Sequence, residues 1–464
     1  MLGIQLERNQ EISLSRQIYK SVRDGISEGR LPPGQVIPST REMARQLAVS
    51  RNTVCEAYEM LAAEGYIETH QGAPTRVAPG LELGQKELLL QPEPQDNLRT
   101  EIRVDFRTGR PDLSRFPQQT WLNLVHRQAA EMPIEQWGYS GPAGLPELRE
   151  EIAAWLFRSK GMTINPQDVF ITAGATQALH LLAELLPIRE QGIIVEDPCH
   201  MGMLRVLQRK KAKIIPIPAD AQGMQTQLLN NQRCTSYVTP SHQYPLGGIL
   251  PAPRRAELIR FARNNDQYII EDDYDSEFRY QGPPVAPLYS LDPQRVIYVG
   301  TFSKTMFPAL RIGYVVLPAS LQLRWCDLRT HADVQNPPFE QAALAEYLRT
   351  RRLDRHVQEM RRLYGRRRKI LLDTLHKVFG NTWCPWGDAA GLHLAVQFPG
   401  RSFDADFSIR ARSKGMMISS VENHSIIPGF HMDKLLLGYG HLEDKEIIDG
   451  VWLLGDFIKL YAGK

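Results

Sequence analysis

Cysteine is scarce in this chain, five residues in 464, and Cys55, Cys199, Cys234, Cys326 and Cys384 fall at no paired or metal-ligand spacing. That excludes a disulfide scaffold or a cysteine-held zinc module and points to a reducing cytosol. Charge of one sign is lacking too: 55 Lys and Arg face 52 Asp and Glu, a formal net charge of +3. Bulk charge therefore selects no partner. No uninterrupted apolar run approaches membrane-spanning length, and Met1-Leu2-Gly3-Ile4-Gln5 is not a basic-then-apolar leader. The expectation is a soluble cytoplasmic protein. Its length predicts roughly two or three domains, with apolar content for a large core.

In the first eighty or so residues, Leu14, Ile18, Val22 and Ile26 recur every four positions, which predicts an amphipathic helix ending near Gly29. Pro32-Pro33-Gly34 breaks the chain. Ser39 then caps a second helix, with Glu42 completing a capping box. That helix turns Met43, Ala44 and Leu47 inward and Arg41 and Arg45 outward. Ser50 caps a third helix whose Val54, Ala57, Tyr58 and Leu61 form one apolar stripe. Arg51, Asn52, Thr53, Cys55 and Glu56 are left on its other faces. Residues 66–69 and 75–77 flank Gln71-Gly72-Ala73-Pro74 as a two-stranded wing. Helix, turn, helix and wing form a DNA-reading arrangement, in which the second helix of the motif reaches base edges and basic side chains hold phosphates. Charges over residues 1–79 roughly balance, as in a small helical domain with no nucleic-acid role; the clustering of Arg41, Arg45 and Arg51 on the outer faces favours DNA.

These elements resemble the GntR family of winged helix-turn-helix repressors. The likeness is carried by Ile37-Pro38-Ser39-Thr40-Arg41, Leu47-Ala48-Val49-Ser50-Arg51-Asn52-Thr53-Val54 and Leu61-Ala62-Ala63-Glu64-Gly65-Tyr66-Ile67. It implies that Arg41, Arg51, Thr53 and the wing tip at Gly72 touch DNA, with Arg45 and Asn52 beside them. Cys55 replaces an arginine found in some relatives, so their base preference does not carry over. Residues 80–103, with Gly80, Gly84, Pro92 and Pro94, read as an extended connector or a covered surface strap.

From Val104 onward, strand-like apolar runs alternate with helical patterns: 169–172, 192–195, 213–216, 268–270 and 296–299. That alternation predicts an open α/β sheet with ligand sites at the carboxyl ends of its strands. The run Val296-Ile297-Tyr298-Val299-Gly300 delivers Thr301, Ser303, Lys304 and then Arg311. Taken alone, a loop lysine is usually solvated. A lysine beside hydroxyls and a guanidinium also suits an aldehyde cofactor with a phosphate tail. Three further strand ends bear on that choice. Thr172-Ala173-Gly174-Ala175-Thr176-Gln177 opens a helix, whose N-terminal amides can hold an anion. His200, after Val195-Glu196-Asp197-Pro198, either lies against a heteroaromatic ring or sits in a polar loop. Tyr268-Ile269-Ile270-Glu271-Asp272-Asp273-Tyr274-Asp275 ends in acid. A carboxylate there can pair with a protonated pyridine nitrogen, and Tyr274 can bond the ring's phenolic oxygen. The acids alone would also permit magnesium or calcium, against which Lys304 and Arg311 supply cations that such a site does not need.

The set resembles fold-type I aminotransferases from about Val104 to the C-terminus, including Tyr139-Ser140-Gly141-Pro142-Ala143-Gly144-Leu145. A GntR-like head on such a body is the architecture of the MocR subfamily, which Thr239-Pro240-Ser241-His242-Gln243-Tyr244-Pro245-Leu246-Gly247 and Glu271 through Phe278 closely match. The resemblance implies pyridoxal 5′-phosphate, with Lys304 as the Schiff-base lysine, Asp272 on the pyridine nitrogen and Tyr274 on the 3′-oxygen. Thr176, Ser303 and Arg311 would hold the phosphate, with Ala175 in the same turn and Thr301 assisting, and His200 would stack on the ring. The chain departs from the pattern at Tyr244, where aminotransferases carry Asn. It departs again at Leu436, in the position of the arginine that fixes a substrate carboxylate. Losing that guanidinium removes charge-assisted bonds worth roughly 1.5–3 kcal/mol each, which speaks against turnover of ordinary amino acids. Gly202 replaces an arginine of the subfamily's best-known member and speaks against GABA as ligand.

The basic run from Arg349 to Lys369 reads as a solvated helix face or as support for DNA phosphates. The expectation is thus an α/β chain with a winged helix-turn-helix domain (1–79), a linker (80–103) and an aminotransferase-like effector domain (104–464). It is expected to be a homodimeric regulator that binds operator DNA and senses an amine, an amino acid or pyridoxal phosphate itself. The alternative is an active aminotransferase with an appended head.

Overall fold

The computed structural model describes residues 4, 6–8, 12–70, 73–80, 101–230, 232–387 and 389–461. The expected wing tip Gly72 and residues 81–100 of the expected connector lie outside these. The chain falls into two compact units, residues 1–99 and 100–464.

In the first unit, α1 (Leu14–Ser27) buries Ile18, Val22 and Ile26, the four-residue stripe read from the sequence. Ser39 caps α2 (Thr40–Leu47) by accepting from the Glu42 amide at 3.3 Å, and Ser50 caps α3 (Arg51–Ala63) from the Thr53 amide at 3.1 Å. Each cap satisfies an amide that the first helical turn leaves without a partner. β1 (Ile67–Glu68) and β2 (Arg76–Val77) pair antiparallel as the wing. Ile18, Val22, Met43, Val54, Leu61, Ile67 and Val77 close one core under all five elements.

In the second unit, β3 (Val104–Asp105) leads into an eight-stranded sheet. Its strands are β4 (Val169–Thr172), β5 (Ile193–Asp197), β6 (Ile214–Asp220), β7 (Gly223–Met224), β8 (Thr235–Val238), β9 (Ile269–Asp273), β10 (Val296–Thr301) and β11 (Gly313–Val316). The spatial order is β4-β11-β10-β9-β8-β5-β6-β7. β10, β9, β8, β5 and β6 run parallel, and β11 is antiparallel to both β10 and β4. The carboxyl ends of β4, β5, β8, β9 and β10 therefore open on one edge, where such sheets bind ligands. A smaller sheet orders β12 (Cys384–Trp386), β13 (His393–Gln397), β16 (Lys434–Gly438) and β15 (Ser419–Ser420). β14 (Met416–Met417) pairs in parallel with β3.

The strands run further than their apolar stretches. Glu271, Asp272 and Asp273 lie inside β9, fully in the sheet and buried. Alternation along a strand then separates them. Glu271 accepts from the amides of Leu288 and Tyr289, and Asp273 accepts from Tyr298 and Lys160, while Asp272 takes the other face. The acids do not converge on a cation.

The basic run also divides. Arg367, in the helix Arg352–Phe379, is fully buried and pairs with Asp112 at 2.8 Å, whereas Arg366 and Lys369 stay exposed on ion pairs with Asp444 and Asp373. Arg367 is thus a core member of a face that the sequence presents as solvated.

Lys160 stands behind β9, its side chain 6% exposed, 2.7 Å from Asp273 and 2.8 Å from Glu277. It is ion-paired with both of these buried carboxylates at once. Lys160→Met should therefore destabilise the body by about 3–5 kcal/mol in urea unfolding. A loss under about 1 kcal/mol would mean that the two acids protonate or rehydrate without it.

Candidate functional site

A cavity of about 270 Å³ opens at the shared strand edge. Lys304, Asp272, Tyr274, Arg311, Ser303, Thr301, Ala175, Thr176, His200 and Tyr244 all line it. Segments more than a hundred residues apart in sequence converge because parallel strands deliver their ends to one side.

One end of the cavity is built for an anion. The helix Ala175–Leu185 starts at Gly174, and the amides of Ala175 and Thr176 have no acceptor within the helix. Arg311 donates to the Ala173 carbonyl at 2.6 Å, which fixes its guanidinium beside that helix start. Thr301 and Ser303 place two hydroxyls there, 3.0 Å apart. The helix start, one cation and two hydroxyls match the charge and the acceptors of a phosphate.

The floor is β9. Asp272 Oδ2 accepts from the Tyr237 hydroxyl at 2.7 Å, while Oδ1 is buried without a partner. Burial pushes this carboxyl from the ordinary 3.8 up to about 6, against the opposing pull of the Tyr237 bond. An orphaned carboxylate oxygen on the cavity floor fits a ring N–H carrying positive charge. Partial burial also lowers the Lys304 ammonium below its usual range, with Asp275 and Asp272 opposing. Its Nζ donates to the Gly109 carbonyl.

The wall is aromatic. The rings of His200 and Tyr244 meet edge to face at 5.3 Å, and the Tyr244 hydroxyl lies 2.9 Å from Thr108 Oγ1. His200 Nδ1 accepts from the Met203 amide at 3.3 Å, and the ring folds over Gly202, where a Cβ would come within 2.6 Å of its Cε1. Glycine at 202 is thus the residue that admits this histidine pose.

Tyr237, Thr108, Gly109, Thr239 and His393 also line the cavity, and sequence reading missed them. Tyr237 matters through the pairing of β8 with β9, where it sits opposite Ile270, and nothing in the linear pattern announces that pairing. Among the described lining residues the charged ones are Asp272, Lys304 and Arg311. Leu436 lies elsewhere, 1% exposed and packed with Ala219, Leu246, Ala395 and Val421.

In the first unit Arg41, Arg45, Arg51 and Asn52 are exposed and Thr53 half-buried. Arg51 Nε reaches Thr40 Oγ1 at 3.5 Å, which brings the starts of α2 and α3 side by side.

Comparison with known proteins finds two family models. One described as bacterial regulatory proteins, gntR family, matches residues 14–77, and one described as aminotransferase class I and II matches residues 116–416. The chain is 31% identical over 468 residues to the probable rhizopine catabolism regulatory protein MocR of Rhizobium meliloti, covering 96% of this chain and 94% of that one. It is 36% identical over 374 residues to the HTH-type pyridoxine biosynthesis transcriptional regulator PdxR of Corynebacterium glutamicum, covering 81% of each. Among solved structures, kynurenine aminotransferase of Pyrococcus horikoshii in complex with PMP superposes with a TM-score of 0.71 at 25% identity, over 78% of this chain and 92% of that one. No described helix is long and apolar enough to cross a membrane.

Asp272 offers a test without any ligand. Its folded pKa is raised, so its contribution to stability is present below about 4 and is lost as pH rises through about 6. Asp272→Asn should therefore leave the ligand-free protein unchanged near pH 4 and stabilise it at pH 8 by on the order of 3 kcal/mol. Urea unfolding at the two pH values measures this, and equal effects at both would contradict the assignment.

Proposed function

The chain belongs to the MocR-type transcription regulators of the GntR family, and we propose that it reads pyridoxal phosphate itself as the signal. The observation that carries this reading is the cavity lining. Its groups match those the cofactor needs, and among the described lining residues the charged ones, Asp272, Lys304 and Arg311, would all be engaged by it rather than by a substrate carboxylate. The relative PdxR is named for pyridoxine biosynthesis, and the solved relative was captured with PMP.

In this reading Arg311, Ser303, Thr301 and the amides of Ala175 and Thr176 hold the phosphate, and Asp272 holds the proton of the ring nitrogen. Tyr274 faces the 3′-oxygen, and His200 and Tyr244 bound the ring. Bound there, pyridoxal phosphate supplies an aldehyde with which an amine condenses and a ring that withdraws electrons. Lys304 is the amine in reach, and burial keeps a larger share of it unprotonated near neutral pH. A body with two conformations shifts toward the one that binds the ligand more tightly.

The head, residues 1–79, would then contact operator DNA through Arg41, Arg45, Arg51, Asn52, Thr53 and Gly72. A connector spanning residues 80–103 would join it to the effector body, residues 104–464. Two chains would meet on a two-fold operator. A second reading, a working aminotransferase, has the likeness to kynurenine aminotransferase in its favour.

Purified chain mixed with pyridoxal phosphate should show a visible absorbance band that Lys304→Ala lacks. Its affinity for the DNA upstream of its own gene should change several-fold on adding pyridoxal phosphate alone, and not in Lys304→Ala. An unchanged spectrum would sink the cofactor assignment. A cofactor-independent gel shift with steady turnover of amino donors would select the enzyme. In the head, Arg51→Ala should weaken operator binding by about 1–3 kcal/mol and relax specificity where it contacts a base.

A further inference from the structure

Tyr274 is held from behind by two residues that do not line the cavity. Its hydroxyl lies 2.9 Å from His242 Nδ1 and donates to the His242 carbonyl at 3.0 Å. The same Nδ1 lies 2.9 Å from Asp275 Oδ1. Both partners are 2% exposed. One ring nitrogen thus faces two oxygens at equal distance. The tautomer with its hydrogen on Nδ1 serves Asp275 and leaves only a lone pair on the unpartnered Nε2.

The ring cannot swing to choose between them. It packs on Gly391, where a Cβ would come within 2.1 Å of His242 Cε1 and 2.7 Å of Asp275 Oδ2. The Gly391 carbonyl is itself pinned by the hydroxyls of Tyr280 and Tyr439 at 2.7 and 2.8 Å. His393 closes the other side, with ring centroids 5.2 Å apart. What remains free to move is a hydrogen.

We propose that His242, backed by Asp275, is a positioning residue that shares its Nδ1 hydrogen between Asp275 and the Tyr274 phenol and so sets how strongly Tyr274 donates to an oxyanion in the cavity. This rests on pyridoxal phosphate occupying the cavity as proposed above. With the Tyr274 hydrogen on the His242 carbonyl, Nδ1–H serves Asp275. When Tyr274 turns its hydrogen toward a phenolate oxygen, its own lone pair faces Nδ1–H. A hydroxyl that accepts one hydrogen bond donates more strongly in the next. The pair thereby links the contents of the cavity to Gly391 and His393, at the start of β13.

His242, Asp275 and His393 also offer donor atoms within 4.8 Å of one another, a spacing a cation could use. Hydrogen bonds already employ them: His393 Nε2 lies 3.1 Å from the Pro245 carbonyl, and Nδ1 of His242 is shared as described. The other titratable groups facing the Tyr274–His242 pair are Asp272, Tyr244, Glu196 and His393, and Lys304 is faced by Asp272, Asp275 and His200.

The test is the pH midpoint of the absorbance change in full-length protein loaded with pyridoxal phosphate. In His242→Asn the cofactor should still load, and the midpoint should move up by about one pH unit. A weaker Tyr274 donor leaves more negative charge on the 3′-oxygen, which holds the proton on Lys304 Nζ more tightly. Tyr274→Phe should move the midpoint at least as far, and the double variant no further than Tyr274→Phe, since both act through one hydroxyl. A wild-type midpoint in His242→Asn, or a full additional shift in the double variant, overturns the inference. Should His242→Asn not fold, Asp275→Asn keeps the question open to measurement. It frees the Nδ1 hydrogen for Tyr274 and should lower the midpoint, by less when Tyr274 is already Phe; an equal shift in both backgrounds overturns it. A wild-type chain that takes up no pyridoxal phosphate instead defeats the functional reading beneath.

Discussion

The body is arranged around a carboxylate that a sheet holds in an unfavourable place. Asp272 lies near the carboxyl end of β9 with one oxygen tied to Tyr237 and the other unpartnered. Burying such a group costs free energy, which the attraction of Lys304 and the Tyr237 bond offset only in part. Its neighbours in sequence are treated differently: Glu271 is capped by two amides and Asp273 by Lys160. The same strand therefore carries two satisfied acids and one left open toward the cavity. That contrast separates two acids whose oxygens are engaged within the fold from one with an oxygen left without a partner.

The rest of the cavity is consistent with this division. The charged lining residues Arg311, Asp272 and Lys304 lie at the helix start and the floor, and the wall is aromatic. Leu436 does not line the cavity and lies buried in an apolar cluster with Ala219, Leu246, Ala395 and Val421. A ligand that brings its own phosphate and a basic ring matches such a lining better than one that needs a second carboxylate held.

How far the site could be read from the sequence depended on how local its signals are. Strand-end motifs such as Thr301 through Lys304, the Asp272 acid burst and the Ala175 turn place residue and element in one short stretch, and all of them line the cavity. Tyr237, Thr108 and His393 reach it only through strand neighbours and long returns of the chain. Arg367 misled for a related reason: a helical run of arginines reads as solvated until the facing Asp112, far away in sequence, is known to be there. The head was legible almost throughout, since its caps, stripe and wing are set within a few residues of one another.

The same difference in range bears on how the chain is made. The contacts of the head close within its first eighty or so residues, so it can fold as soon as that stretch leaves the ribosome. β3, the entry strand of the body, pairs with Met416 and Met417 and has no partner strand until synthesis has passed them. Loop closure of that length is slow and comes late. For most of its own synthesis, each copy is a finished reader attached to an unfinished gauge.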